Sequence, residues 1–365
     1  MLLKKLKSTL ILTGLLTVSY AVSTVAQNRV QLIGAGASFP APLVTAMADE
    51  YRDLTNRRVT INYQSIGSGG GIRQFGEQTI MFGMTEAFLN DEVMKNIEKQ
   101  TGGQAFNIPI TLADVVVTYN IPGVQTGLVF DGDVISAIFL GEITVWNDQR
   151  IQNLNPGVRL PRLPIQVVHR SDGSGTTNLW TSYLSNVNEK WSSTIGFATS
   201  VNWPTGIGGN GNEGVAGVVQ STPGAIGYNS FAYALLNDMS YAYLKNSSGN
   251  VIRPSFESTS AAADIPLPTD GRILFTNTPA SNGYPAAGFA WMLCYENMEK
   301  NNAINTKREA EELIRFIVWS IKDGQKYSED LGYAKLPDAA VELGKNMIRE
   351  MKWHGEPIGR NILDN

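Results

Sequence analysis

Three times in this chain an apolar stretch of strand character runs into a glycine-rich turn bearing serine or threonine, and a stretch of helical periodicity follows. Val30 to Ile33 leads into Gly34-Ala-Gly-Ala-Ser-Phe-Pro and a helix expected near Ala41 to Leu54. Val59 to Gln64 leads into Gly67-Ser-Gly-Gly-Gly-Ile-Arg, which opens a helix reaching Phe75. Ile165 to His169 leads into Arg170-Ser-Asp-Gly-Ser-Gly-Thr-Thr, and the helix after it carries Leu179, Trp180, Tyr183 and Leu184 on one face. Repeated strand–turn–helix units build α/β folds with largely parallel sheets, because a parallel neighbour needs a crossover long enough to hold a helix. The alternation continues, with strands expected at Asp114 to Ile121, Gly224 to Tyr228 and Phe289 to Cys294. Helices are expected at Asp131 to Leu140, Glu309 to Lys322 and Ala340 to Met351.

A chain of 365 residues exceeds the roughly 250 at which a single core stops growing, so two domains are expected. No linker or low-complexity tract divides it, which implies domains joined by strands that cross more than once. An apolar share of 43% excludes wholesale disorder. The formal charge of −4 argues against a basic nucleic-acid binder. Cys294 is the one cysteine, so no intrachain disulfide is possible, and two histidines, His169 and His354, leave little for a zinc site. Neither metal nor cofactor is expected.

The first 26 residues read as an address. Lys4, Lys5 and Lys7 form a positive region, Leu10 to Val18 a short apolar one, and Thr24-Val25-Ala26 a small-residue cleavage site. The apolar run is shorter than the roughly 17–25 residues that span a bilayer. Export with cleavage near Ala26 is therefore expected, leaving a soluble chain more acidic than the precursor.

The turns carry the chemistry. A helix N-terminus holds partial positive charge and unpaired N–H donors, and small residues let an oxyanion reach them. One such turn means little, since Ser and Thr are ordinary caps; three are harder to dismiss. Arg170 adds a fork of donors suited to a tetrahedral oxyanion, and Asp172 is placed to hold its guanidinium. A surface ion pair is the alternative for that arginine. Other motifs fail. Gly206-Ile-Gly-Gly-Asn-Gly matches GxGxxG, but Trp203-Pro204 stands where a dinucleotide site needs a strand. Ser174 has no histidine partner in a supporting motif, and strand alternation aims His169 away from Arg170.

In order along the chain, GAGASFPAPL, INYQSIGSGGG, VTYNIPG, ISAIFLGEITVWND, HRSDGSGTT, WPTGIGGNGNEGV and PGAIGY resemble the periplasmic phosphate-binding protein of the high-affinity phosphate ABC transporter. The likeness runs from about Leu32 to Tyr333, although Tyr241 to about Pro285 does not align. It implies a two-lobed periplasmic binding protein fold, each lobe a mostly parallel sheet flanked by helices. Lobe one would be residues 28–115 plus 285–365 and lobe two residues 116–284, with hinge strands near Val115 to Tyr119 and Ala287 to Trp291. It further implies phosphate held by Ser38, Phe39 through its N–H, Ser68, Glu86, Arg170, Ser174, Gly175 and Thr176, with Asp172 orienting Arg170. The implied partners are inorganic phosphate and membrane permease subunits; no nucleic acid partner and no catalysis are implied, and a monomer is expected. The family places aspartate where Glu86 stands. A carboxyl in an anion pocket can accept a proton from hydrogen phosphate, whereas sulfate has none to give. Glutamate keeps that chemistry with one more methylene, so another tetrahedral oxyanion, arsenate or a phosphonate, stays open as the ligand. A phosphate-ester hydrolase of similar fold is the remaining alternative.

Overall fold

The structure, a computed structural model, describes residues 29–364, so the expected leader lies outside the described residues. One path of paired strands runs through the molecule in the order Val59–Ser65, Val30–Gly36, Phe82–Thr85, Ala287–Tyr295, Ala105–Tyr119, Ala225–Ser230, Gln166–Arg170 and Ile207–Gly209. The outer strands pair in parallel at both ends of the path. The central strands Ala287–Tyr295 and Ala105–Tyr119 are antiparallel to each other and to their other neighbours. The sheets are therefore mixed: parallel pairing stands where helical crossovers supply it, and antiparallel pairing where the two long strands lie side by side.

Ala105–Tyr119 divides its pairing. Residues 105–114 pair with Ala287–Tyr295, and residues 115–119 pair with Ala225–Ser230. The exchange of partners falls between Asp114 and Val115, where the Val115 N–H donates to Ala286 O at 2.7 Å. Sequence patterning starts this strand only at Asp114, because Pro109 disguises the earlier half. Pro109 sits opposite Trp291 at a register shift that leaves Ile110 as an extra residue. Such a bulge accommodates a residue with no N–H to give. The Ile110 carbonyl is taken by Gln325 Nε2 at 2.9 Å.

Burial explains the layers. Every residue of Ala287–Tyr295 is buried, as a strand covered on both faces requires. At one end of the strand path, helices Ala41–Leu54 and Lys307–Ile321 bury Leu43, Met47, Leu313 and Phe316 on one face. Phe75, Leu89, Ile97 and Leu293 form a smaller cluster on the other face. At the other end, helices Gly175–Val187 and Gly211–Ser221 bury Trp180, Tyr183, Leu184, Val215 and Val219. The unaligned stretch holds two short strands, Tyr243–Lys245 and Val251–Ile252, and the helix Phe256–Ala262. Among the described residues no helix is long and apolar enough to cross a membrane.

Candidate functional site

Each of the three turns opens a helix. Val30–Gly36 passes through residues 37–40 into Ala41–Leu54, where Pro40 occupies the N-cap with no side-chain cap. Val59–Ser65 passes through Gly67, at φ +79°, into Ser68–Gly76. Gln166–Arg170 passes through Ser174, whose hydroxyl accepts from Thr177 N at 3.0 Å, into Gly175–Val187. Ser174 thus caps its own helix, while the hydroxyls of Ser38 and Ser68 are engaged elsewhere.

The second and third turns meet face to face. The Gly69 N–H donates to Gly173 O at 2.9 Å. A Cβ on Gly67 would stand 2.3 Å from Asp172 Oδ2, and one on Gly175 would stand 2.1 Å from Glu86 Oε2 and 2.5 Å from Ser68 Oγ. Glycine at 67 and 175 is therefore what lets the two halves approach. Ser38, Phe39, Ser68, Glu86, Arg170, Ser174 and Thr176 are all buried.

Arg170 and Asp172 form a fork, Nε to Oδ1 at 2.7 Å and Nη2 to Oδ2 at 2.5 Å. Burial pushes the Asp172 carboxyl up, but the Arg170 guanidinium outweighs it and holds the group below the usual carboxylate range. With Nε and Nη2 committed, Nη1 reaches Thr176 Oγ1 at 3.4 Å. Glu86 lies opposite. Ser68 Oγ donates to its Oε2 at 3.3 Å, and Oε1 makes no hydrogen bond within the protein. Burial drives the Glu86 pKa up to about 8, although the charge of Arg170 and the Ser68 hydrogen bond pull it down. Among the described residues no three His, Cys, Asp or Glu side chains cluster as a metal requires.

Several neighbours escaped the sequence reading. Tyr63, Tyr233 and Tyr333 donate to the carbonyls of Ala37, Ser38 and Phe39 at 2.6, 3.0 and 2.6 Å. Three consecutive peptide planes of the first turn are thereby fixed. A trans peptide sets N–H opposite C=O, so Tyr233, gripping Ser38 O, also aims the Phe39 N–H. Asn212 was missed as well. The rejected GxGxxG is a fourth strand–turn–helix unit, its short strand Ile207–Gly209 inside the motif and not before it. The Gly211 N–H in that turn donates to Asp172 Oδ1 at 3.1 Å. His169 stays apart, stacked on Trp203 with ring centroids 4.8 Å apart.

This geometry gathers neutral donors and one guanidinium around a single buried carboxyl, a set suited to an oxyanion that carries a proton. The chain matches the PBP superfamily domain over residues 21–323. It is 41% identical over 319 residues to the phosphate-binding protein PstS of Xylella fastidiosa strain 9a5c, covering 86% of this chain and 84% of that one. The chain belongs to the PstS family. The Pasteurella multocida phosphate-binding protein PstS is 37% identical over 335 residues, covering 91% of this chain and 92% of its own. A solved Clostridium perfringens structure, a putative phosphate ABC transporter substrate-binding protein with bound phosphate, shares the fold at a TM-score of 0.60 and 18% identity. It covers 84% of this PstS-family chain and 100% of its own.

Proposed function

We propose that this protein captures inorganic phosphate between its lobes and delivers it to the permease of an ABC importer. Residues 28–115 with 285–365 form one lobe and residues 116–284 the other. They close by bending where Ala105–Tyr119 changes partners at Asp114–Val115, beside Ala286–Ala287. Arg170, oriented by Asp172, supplies charge; Ser38, Ser68, Ser174 and Thr176, with the N–H groups of Phe39 and Gly175, supply neutral donors. Since donors come from both lobes, the anion favours the closed state by contacts the open state lacks. One chain holds the whole set, so a monomer suffices. The leader of the first 26 residues would send it to the periplasm. Binding and release without turnover is the activity in this reading; the names of the relatives describe those proteins as phosphate-binding.

The observation that carries this reading is Glu86, a buried carboxyl among donors with one oxygen unpaired and its pKa near 8. Hydrogen phosphate and this carboxyl share one proton. Sulfate has no proton to share, so above about pH 8, where Glu86 is ionised, it would set two negative groups in contact, at a cost of several kcal/mol in a buried site. Arsenate has the same protonation chemistry and is the second ligand to try. Calorimetric titration of ligand-stripped protein with phosphate and then sulfate, from about pH 6 to about pH 9, tests the reading. Tight phosphate binding is expected throughout, without sulfate heat at the alkaline end where Glu86 is ionised. Silence towards phosphate, or equal binding of sulfate, would sink it.

A further inference from the structure

Asn212 touches both sides of the cleft. Its backbone N–H and its Nδ2 both donate to Ser38 Oγ, at 3.0 and 2.9 Å, and Nδ2 also donates to Thr176 Oγ1 at 3.0 Å. The side-chain amide has one possible orientation, because Ser230 N–H donates to Oδ1 at 2.8 Å and needs an acceptor there. The Asn212 carbonyl accepts from Asn229 Nδ2 at 2.8 Å, and Asn229 Oδ1 accepts from Thr118 on the long crossing strand at 2.9 Å. Asn212 is wholly buried with every polar atom engaged.

A hydroxyl has one proton to donate and two lone pairs to accept with. Both lone pairs of Ser38 Oγ are filled by Asn212. Those of Thr176 Oγ1 are filled by Asn212 and, at 3.4 Å, by Arg170 Nη1. Each hydroxyl proton is then left to point at a third partner. We propose that Asn212 is a positioning and specificity-determining residue: it fixes Ser38 and Thr176, one from each lobe, as obligate donors to the bound anion. Resting on the phosphate reading above, the proposal adds a reason for selectivity. With both hydroxyls committed to donation, neither competes with Glu86 as the acceptor for a ligand proton. Without Asn212, each hydroxyl can turn and present a lone pair to the anion instead.

A double-mutant cycle separates this role from a merely structural one. Phosphate affinity is measured by calorimetry, or by equilibrium dialysis with labelled phosphate for weak variants, in wild type, N212A, S38A/T176A and the triple variant. Thermal melting of each ligand-free protein serves as the folding control. N212A is expected to weaken phosphate about ten- to hundredfold in the wild-type background and less than about twofold in S38A/T176A, because the hydroxyls it acts through are gone. An equal fold-loss in both backgrounds overturns the proposal. If N212A does not fold, N212S enters the same cycle with the same criteria. A wild-type protein that takes up no phosphate would overturn the phosphate reading itself, a result distinct from an additive cycle.

Discussion

Two carboxyl groups are fully buried among the described residues, Glu86 beside the second and third turns and Asp114 where the long strand exchanges partners. Burial raises both, Glu86 to about 8 and Asp114 well above its ordinary value. What opposes burial differs. At Glu86 the Arg170 guanidinium pulls the pKa back down, and Ser68 donates to one oxygen. At Asp114 the opposition is neutral: Thr259 donates to Oδ1 at 2.9 Å and the Ser255 N–H assists. Its Oδ2 makes no hydrogen bond within the protein, and neither does the nearby Tyr284 hydroxyl. A carboxyl poised against a guanidinium in a cleft can answer to a ligand. One packed between crossing strands with neutral partners answers only to pH. A raised pKa thus does not by itself mark a binding site; the charged partner does.

The largest test of that contrast removes the partner. Arg170→Ala should weaken phosphate binding by about 3–5 kcal/mol, since it leaves Asp172 and the anion without their cation in a buried site. Calorimetry reads the loss directly, and unchanged affinity would break the assignment of Arg170. Glu86→Gln comes next. Above about pH 8, where Glu86 is ionised, an amide can donate to sulfate where the carboxylate repels it, so discrimination between phosphate and sulfate should fall by about 1.5–3 kcal/mol. Competition titration with both anions measures the ratio. A variant that rejects sulfate as strongly as wild type would move selectivity away from Glu86.

Sequence and structure agree best where function is local. Strand, turn and helix follow one another within a dozen residues, and Arg170 and Asp172 are two residues apart, so both were legible. Contacts made across the fold were not. Tyr63, Tyr233 and Tyr333 grip carbonyls 26, 195 and 294 residues away, which no periodicity encodes. Asn212 was hidden differently: its strand is three residues long and glycine-rich, too weak a pattern to register as a strand. The first half of Ala105–Tyr119 was obscured by Pro109, whose missing N–H is absorbed by a bulge visible only once Trp291 is its neighbour. Glu86 entered through family resemblance, not through any pattern of its own.

The smallest effect on phosphate binding is expected at Asp114, whose titration bears on stability instead. A carboxyl whose pKa is raised on folding keeps a proton that the unfolded chain has already released. Its contribution to stability is therefore greatest at low pH and declines as pH rises above the ordinary value of 3.8. The slope is about 1.4 kcal/mol per pH unit while the folded group remains protonated. Asp114→Asn keeps the shape and an acceptor for Thr259 but has no proton to lose. Urea unfolding of the ligand-free variant should show that slope removed, with phosphate affinity near that of wild type. An unchanged slope would mean that Asp114 ionises in the fold despite its burial. A large loss of phosphate affinity would instead couple the crossing strands to the cleft, and the two carboxyls would then belong to one system.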